Sequence, residues 1–394
     1  MKKQIKQLNE AELKAAIANN QYIFDEHFSL EFAKSLEKNI FDGINAHYFR
    51  SKFVGLDVSE YPQRNDPATP LIFISNHSGM AFPWDAMVLS SGLLKMCQHD
   101  LFHVARPLVA PMLFASNLMN TYLIPNFWAK ASGIAASSLN FDTMMQANKS
   151  NVLLYPEGVP GIGKGFNNKY KLQQFSTSMV RMALKYKTDI IPISTVNAEY
   201  INPWAYKIDF IDNLVRKIGV PFLPLNPVLL LIPFMPWLFY FGFPAQLTFV
   251  KGTRISPYKM IDKAYEDLTE AEIREIRDEC RNSAQNDLDL AVAEHGHSPY
   301  DWIALLKNNF QHWRKYIFFN PQLWVFLFWE HERHFRESGN QYKPMNLGIF
   351  SIFRLFLQQF WAFALFIPII GLIPMAFWGY KGHQIDPSRV SQPK

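Results

Sequence analysis

The reactive side chains of this chain gather in two short polar clusters, each at the end of an apolar run. The first, Ser75-Asn76-His77-Ser78-Gly79, follows Leu71-Ile72-Phe73-Ile74. Four apolar, strand-favouring residues ending in a polar cluster predict a strand whose end exposes an imidazole. Asp85 lies eight residues beyond His77 and two beyond Pro83. Proline suits the first position of a helix, so Asp85 is expected in that helix's first turn. A carboxylate meeting the imidazole there fixes its tautomer and raises its basicity, as a general base acting on a hydroxyl requires. The second cluster, Tyr155-Pro156-Glu157-Gly158, follows the candidate strand Asn151-Val152-Leu153-Leu154. Ligands of open α/β sheets lie outside the carboxyl ends of strands, so Glu157 is expected to reach the crevice that holds His77. Beyond it, the glycine-rich Val159 to Gly165 carries Lys164, and such a loop can offer N–H groups and a cation to a phosphate. The spacing is not that of a Walker loop, and a plain turn is an equal alternative.

The elements that must position these groups read as an α/β domain over 61–294, with a mixed sheet flanked by helices. Candidate strands are 71–75, 102–105, 152–155 and 190–196; candidate helices are 84–96, 107–119, 139–149 and 171–186. Residues 1–60 read as a helical lead-in, with Asn9 capping its first helix. A capping box at Thr269 to Glu272 opens a charged, amphipathic closing segment. Residues 295–394 form an aromatic extension. Two stretches are free of charge, 218–250 and 361–379. The first is cut by six prolines and reads as an interfacial or re-entrant element, with a buried loop lining an acyl pocket as the alternative. The second is long enough to span a bilayer, but Pro368, Gly371 and Pro374 point to a bent or hairpin-like insertion, and Arg354 and Lys381 at its two flanks leave it unoriented.

Of 394 residues, 34 are Phe, 16 Tyr and 10 Trp, more aromatic surface than a soluble core needs, so contact with something apolar is expected. A net charge of +5 permits anionic lipid or acyl-CoA as partners. No Lys/Arg stripe with interleaved aromatics points to nucleic acid. Cys97 and Cys280 form no CxxC pattern, which argues for a reducing compartment and no cysteine metal site. No apolar stretch follows Lys2 and Lys3, so no signal peptide is expected, and the location expected is the cytoplasmic face of a membrane.

In their order and separation, Asn76-His77 with Asp85, Tyr155-Pro156-Glu157-Gly158 and Ile190-Ile191-Pro192-Ile193 resemble the glycerolipid (lysophospholipid) acyltransferase superfamily over about residues 48–285. The resemblance is to 1-acylglycerol-3-phosphate acyltransferase-like members, and Lys164 to Arg181 looks like the segment of a subgroup near the diacylglycerol-type enzymes. It implies His77 as general base with Asp85 orienting it. It also implies Glu157, Gly158 and Asn76 at the acceptor's glycerol phosphate, Pro192 in the pocket wall, and Arg106 and Lys164 as candidate phosphate ligands. The implied reaction moves an acyl group from acyl-CoA or acyl carrier protein to a glycerolipid hydroxyl, without a cofactor or metal. This chain departs from the pattern in three places: seven residues separate His77 and Asp85 where the family usually has four, Val159 stands where a threonine is common, and only Arg106 and Lys130 are candidates for the family's arginine block. Two other readings stay open: a catalytically silent lipid-binding protein on the same fold, and a metal-dependent hydrolase using the His/Asp/Glu trio. His331 and His334 read as solvated or interfacial.

Overall fold

The computed structural model describes residues 9–79, 82–216, 223, 225–313 and 317–377. Lys381, the end of the 361–379 stretch and most of 217–224 lie outside the described residues.

Among the described residues seven strands form one sheet: β1 Lys52–Val54, β2 Ile72–Ser75, β3 Ala105–Val109, β4 Ile134–Ala135, β5 Asn151–Leu154, β6 Ile190–Val196 and β7 Thr248–Lys251, in the order β1-β7-β6-β2-β5-β3-β4. All neighbours run parallel except β6 and β7. The sheet is therefore mixed, as the sequence predicts. β2, β5 and β6 are buried along their whole length, which is why they read as continuous apolar runs rather than alternating ones. Their side chains alternate between two cores. Phe73, Leu153, Ile191 and Ile193 enter one; Ile72, Ile74, Val152 and Ile190 enter the other.

Helices that pack around the sheet include α1 Glu10–Asn19, α2 Leu30–Leu36, α3 Trp84–Met96, α4 Ser138–Ala147, α5 Ser178–Tyr186, α6 Glu270–His295, α7 Trp302–Gln311, α8 Trp324–Glu337 and α9 Ile349–Gln358. α2, α3 and α8 cover the first core, and α4, α5 and α6 the second. Asn9 caps α1 and the box at Thr269 opens α6 as predicted, each side chain accepting from the N–H three residues on, and Glu12 completes a box at Asn9 as well.

Several expectations are corrected. The strand expected at 102–105 starts at Ala105 and runs to Val109, displacing the helix expected at 107–119 into two short turns, Pro111–Ala115 and Asn117–Asn120. The helix expected from 171 begins only at Ser178, because α6 holds the preceding backbone extended: Arg281 donates to Gln173 O at 2.9 Å and Gln285 accepts from Leu172 N at 2.8 Å. The lead-in is not wholly helical, since β1 pairs with β7 at the sheet's edge. Part of the aromatic extension packs into the first core. Trp324 is fully buried with its ring 4.0 Å from that of Trp84, and His331, expected at a wet surface, is buried and bonded to Ser35 Oγ at 2.9 Å.

The 361–379 stretch is bent as its prolines predict: a short helical segment Phe360–Phe366, a turn, then Leu372–Phe377. No helix among the described residues is long and apolar enough to cross a membrane.

Candidate active site

β2 ends at Ser75, and Asn76 is then consumed by structure. Its amide donates to Thr195 O at 2.9 Å and accepts from Thr195 N at 2.7 Å, clamping the end of β2 to β6. The clamp sets the direction of the next residue, His77, which lines the main cavity. Pro83 precedes α3, and Asp85 in its first turn is 1% exposed. His77 Nδ1 lies 2.7 Å from Asp85 Oδ2, and Ser78 N donates to the same oxygen at 3.2 Å. A carboxylate accepts only, so Nδ1 carries the proton and Nε2 keeps its lone pair for a reacting hydroxyl. In the longer loop between the two residues Gly79 has a φ of +110°, which suits a residue without a Cβ.

Glu157 arrives from the end of β5. Its Oε1 accepts from His77 N at 3.2 Å and its Oε2 from Gln173 N at 2.6 Å. Burial holds its carboxyl above the usual range, against the opposing pull of Lys164 and these N–H groups. Gly158 follows at φ +58° and ψ −146°, a region that is essentially glycine's alone, and lines the cavity. Tyr155 packs its ring 4.5 Å from that of His77, and its hydroxyl is buried without a hydrogen-bond partner among the described residues.

A second carboxylate, which the sequence did not mark, braces the same loop. Glu199 follows β6; its Oε1 accepts from Ser78 Oγ at 2.8 Å and from Tyr170 N at 2.9 Å, with Lys164 Nζ at 3.3 Å. Lys164 is thus buried beside Glu199, not presented to a ligand. The signal that could have found Glu199 is faint: a charged residue two positions after a wholly apolar strand and Asn197.

His77, Asp85, Glu157 and Gly158 therefore come together, and Asn76 supports them from behind. Arg106 and Pro192 do not join them. Arg106 faces the second core, donating to Ser132 O and Phe24 O at 3.1 Å each and stacking on Phe28, with burial pulling its pKa down to about 9. Pro192 sits inside the sheet opposite Ile74 and is absent from the cavity wall. Between the Ile193–Lys251 and Ile190–Ile255 pairs β6 has two residues where the partner chain segment has three, a bulge that absorbs the missing proline N–H.

The cavity has a volume of about 690 Å³, within the range of small-molecule sites. His77 and Tyr155 stand at one end, and Met87, Ser91 and Leu94 mark its course along α3. Glu37 lies toward the far end, since it bonds His99, beyond the C-terminus of α3, at 2.8 Å. Its wall is mostly apolar, so the arrangement sets an oriented imidazole in the wall of a cavity whose lining would suit a hydrocarbon chain. Among the described residues no three His, Cys, Asp or Glu side chains converge as a metal site would require.

Residues 57–196 match the family model described as Acyltransferase. The matched span holds both polar clusters and ends on the last residue of β6. The chain is 28% identical over 211 residues to an uncharacterized protein of Mycobacterium leprae, covering 53% of this chain and 51% of the relative. Uncharacterized proteins of Mycobacterium bovis and Mycobacterium tuberculosis are 27% identical over 210 residues, covering 53% of this chain and 52% of their own. The chain thus spans about half the length of these relatives. No solved structure matches it. The acyltransferase match supports the superfamily resemblance and a transferase activity, on an α/β fold whose sheet is flanked by helices.

Proposed function

We propose that the protein is an O-acyltransferase of glycerolipid synthesis, moving a fatty acyl group from acyl-CoA or acyl carrier protein to the hydroxyl of a lysophospholipid or related glycerolipid at a membrane surface. The observation that carries this reading is the 2.7 Å pairing of His77 and Asp85 at the end of an apolar cavity. In the proposed reaction the hydroxyl loses its proton to His77 Nε2 as its oxygen attacks the thioester carbonyl. Asp85 stabilises the imidazolium that forms. Collapse of the tetrahedral intermediate breaks the C–S bond, and the leaving thiolate takes the proton back from His77, giving ester and free thiol. Among the described residues no serine or cysteine is paired with His77, and in the proposed reaction the acyl group passes directly in a ternary complex, where positioning supplies much of the rate. Backbone N–H groups in the first turn of α3 are the proposed donors to the oxyanion.

The reading is tested with purified protein, acyl-CoA and a panel of lysophospholipid and other glycerolipid alcohols. Release of CoA thiol with ester formation is expected, and equal rates for the parent and His77→Ala would overturn it.

A further inference from the structure

One wall of the cavity is shared with a chain of neighbouring aromatic rings. Phe363 lies 6.4 Å from Phe366, Phe366 6.5 Å from Trp237, and Trp237 5.8 Å from Phe241. The chain continues through Phe243 at 4.9 Å, Tyr300 at 6.4 Å and Trp302 at 5.0 Å. Phe241 belongs to this chain and to the cavity wall at once. The short helix Pro227–Leu231 does the same: Leu229 lines the cavity, while Leu230 next to it is exposed.

The belt joins two helices with bare outer faces. On α7 the exposed apolar residues beyond Trp302 are Ile303, Leu306 and Phe310; on α9 Phe350, Phe353 and Leu357 are exposed. Both sets have the spacing i, i+3, i+7, which places each on one helical face. Phe310 is 86% and Phe350 89% exposed. A soluble monomer rarely leaves so much aromatic area in water. Residues 302–313 and 349–377 contain Lys307 and Arg354 and no Asp or Glu. Arg354 keeps half its surface exposed while bonding Glu330 at 2.7 Å. At the belt's other side the exposed Lys169 lies over the rings of Phe166 and Tyr200, and Tyr200 meets Tyr300 at 5.9 Å.

We propose that the outer faces of α7 and α9, with the aromatic belt between them, form a docking surface for an anionic lipid bilayer. The rings and aliphatic side chains lie at the boundary between headgroups and acyl chains, and the cations meet lipid phosphates. The protein lies on the membrane by this surface and does not need a spanning helix. The proposal rests on the acyl-transfer reading only for the purpose of docking, which is to bring the cavity wall that Phe241 and Leu229 share with this surface close to the lipid.

The test is flotation of the full chain with vesicles of phosphatidylcholine alone and of phosphatidylcholine with phosphatidylglycerol. The Phe310→Glu/Phe350→Glu double variant is expected to partition about tenfold or more weakly, since each substitution removes the burial of an aromatic side chain. Its acyl transfer on a monomerically dispersed acceptor is expected to match the parent's, which shows that it folds. Leu290→Glu, at an exposed leucine on α6, is expected to float like the parent. Binding is expected to be several-fold tighter with phosphatidylglycerol at low salt. Equal flotation of the double variant and the parent, equal loss with Leu290→Glu, or no preference for the anionic vesicles would overturn the proposal. So would a lipid-free parent that is dimeric while the double variant is monomeric, because a second copy would then be the occupant. Vesicle binding lost as expected in a protein that transfers no acyl group would overturn the catalytic reading and leave the docking surface standing.

Discussion

His77 Nδ1 and Asp85 Oδ2 stand 2.7 Å apart across a loop of seven intervening residues, and the same carboxylate oxygen accepts from the backbone of Ser78. The contact persists because both ends are fixed independently. Asn76 clamps the strand end to β6, and Asp85 is buried in the first turn of a helix, where the dipole favours a carboxylate. Extra residues between them then need not change the distance between the ends. His77→Ala is expected to reduce acyl transfer about 10²–10⁴-fold, the usual contribution of a positioned base. Asp85→Asn is expected to lower the rate at least about a hundredfold through loss of the orienting carboxylate, with little change in the KM for the acyl donor. Rates within a few-fold of the parent for Asp85→Asn would show that His77 needs no orienter.

The parts of this site that were legible share one property: their chemistry is local in sequence. A helix after Pro83 places Asp85, a strand end places His77, and a strand end places Glu157, so each needed only neighbouring residues to be read. α3 begins and ends where its pattern predicts. Glu199 was hidden because its role comes from three distant partners, Ser78, Tyr170 and Lys164. Lys164 was misread for the matching reason: a lysine in a glycine-rich loop looks available until a buried carboxylate is found beside it. Trp324 and its neighbours show the limit of composition, since an aromatic run reads alike whether it fills a core or faces a bilayer. In this chain α8 does the first, while α9 turns exposed rings outward.

Ser91 lies on the cavity wall six residues beyond Asp85, about 9 Å further along the axis of α3 at about 1.5 Å per residue. A chain whose carbonyl sits at His77 has to pass it. Ser91→Phe is therefore expected to shift the preferred acyl donor toward shorter chains, with turnover of the shortest donors retained. The check is a series of saturated acyl thioesters of graded length; a uniform fall at every length would mean that the cavity does not hold the acyl chain.

Arg106 separates a structural from a catalytic reading of a conspicuous basic residue. Its guanidinium bonds the carbonyls of Ser132 and Phe24 and stacks on Phe28, away from the cavity. Arg106→Lys loses the forked geometry of these bonds. It is expected to destabilise the fold by about 1–3 kcal/mol, read as a lower Tm, while KM for donor and acceptor stays within about twofold of the parent. A tenfold rise in the acceptor KM without loss of stability would return Arg106 to the binding site.

Glu37 marks the far end of the cavity and gives the fold a pH dependence of definite sign. It is 2% exposed, and burial, reinforced by the charge of Asp42, pushes its carboxyl from 4.5 up to about 8. A carboxyl raised in the folded state contributes stability that is fully present below the unfolded value and is lost as pH rises through the folded one. The window therefore runs from about pH 4.5 to about pH 8. Glu37→Gln keeps the shape and a hydrogen-bonding group for His99 but has no proton to lose. Relative to the parent, its stability is expected to improve from the acid to the alkaline side of this window by on the order of 1–3 kcal/mol. His99 is itself held below its ordinary value by burial, but it is present in both proteins and largely cancels from the difference. Chemical denaturation of the pair at several pH values checks this. A difference that stays constant across the window would show that Glu37 does not change its ionisation on unfolding.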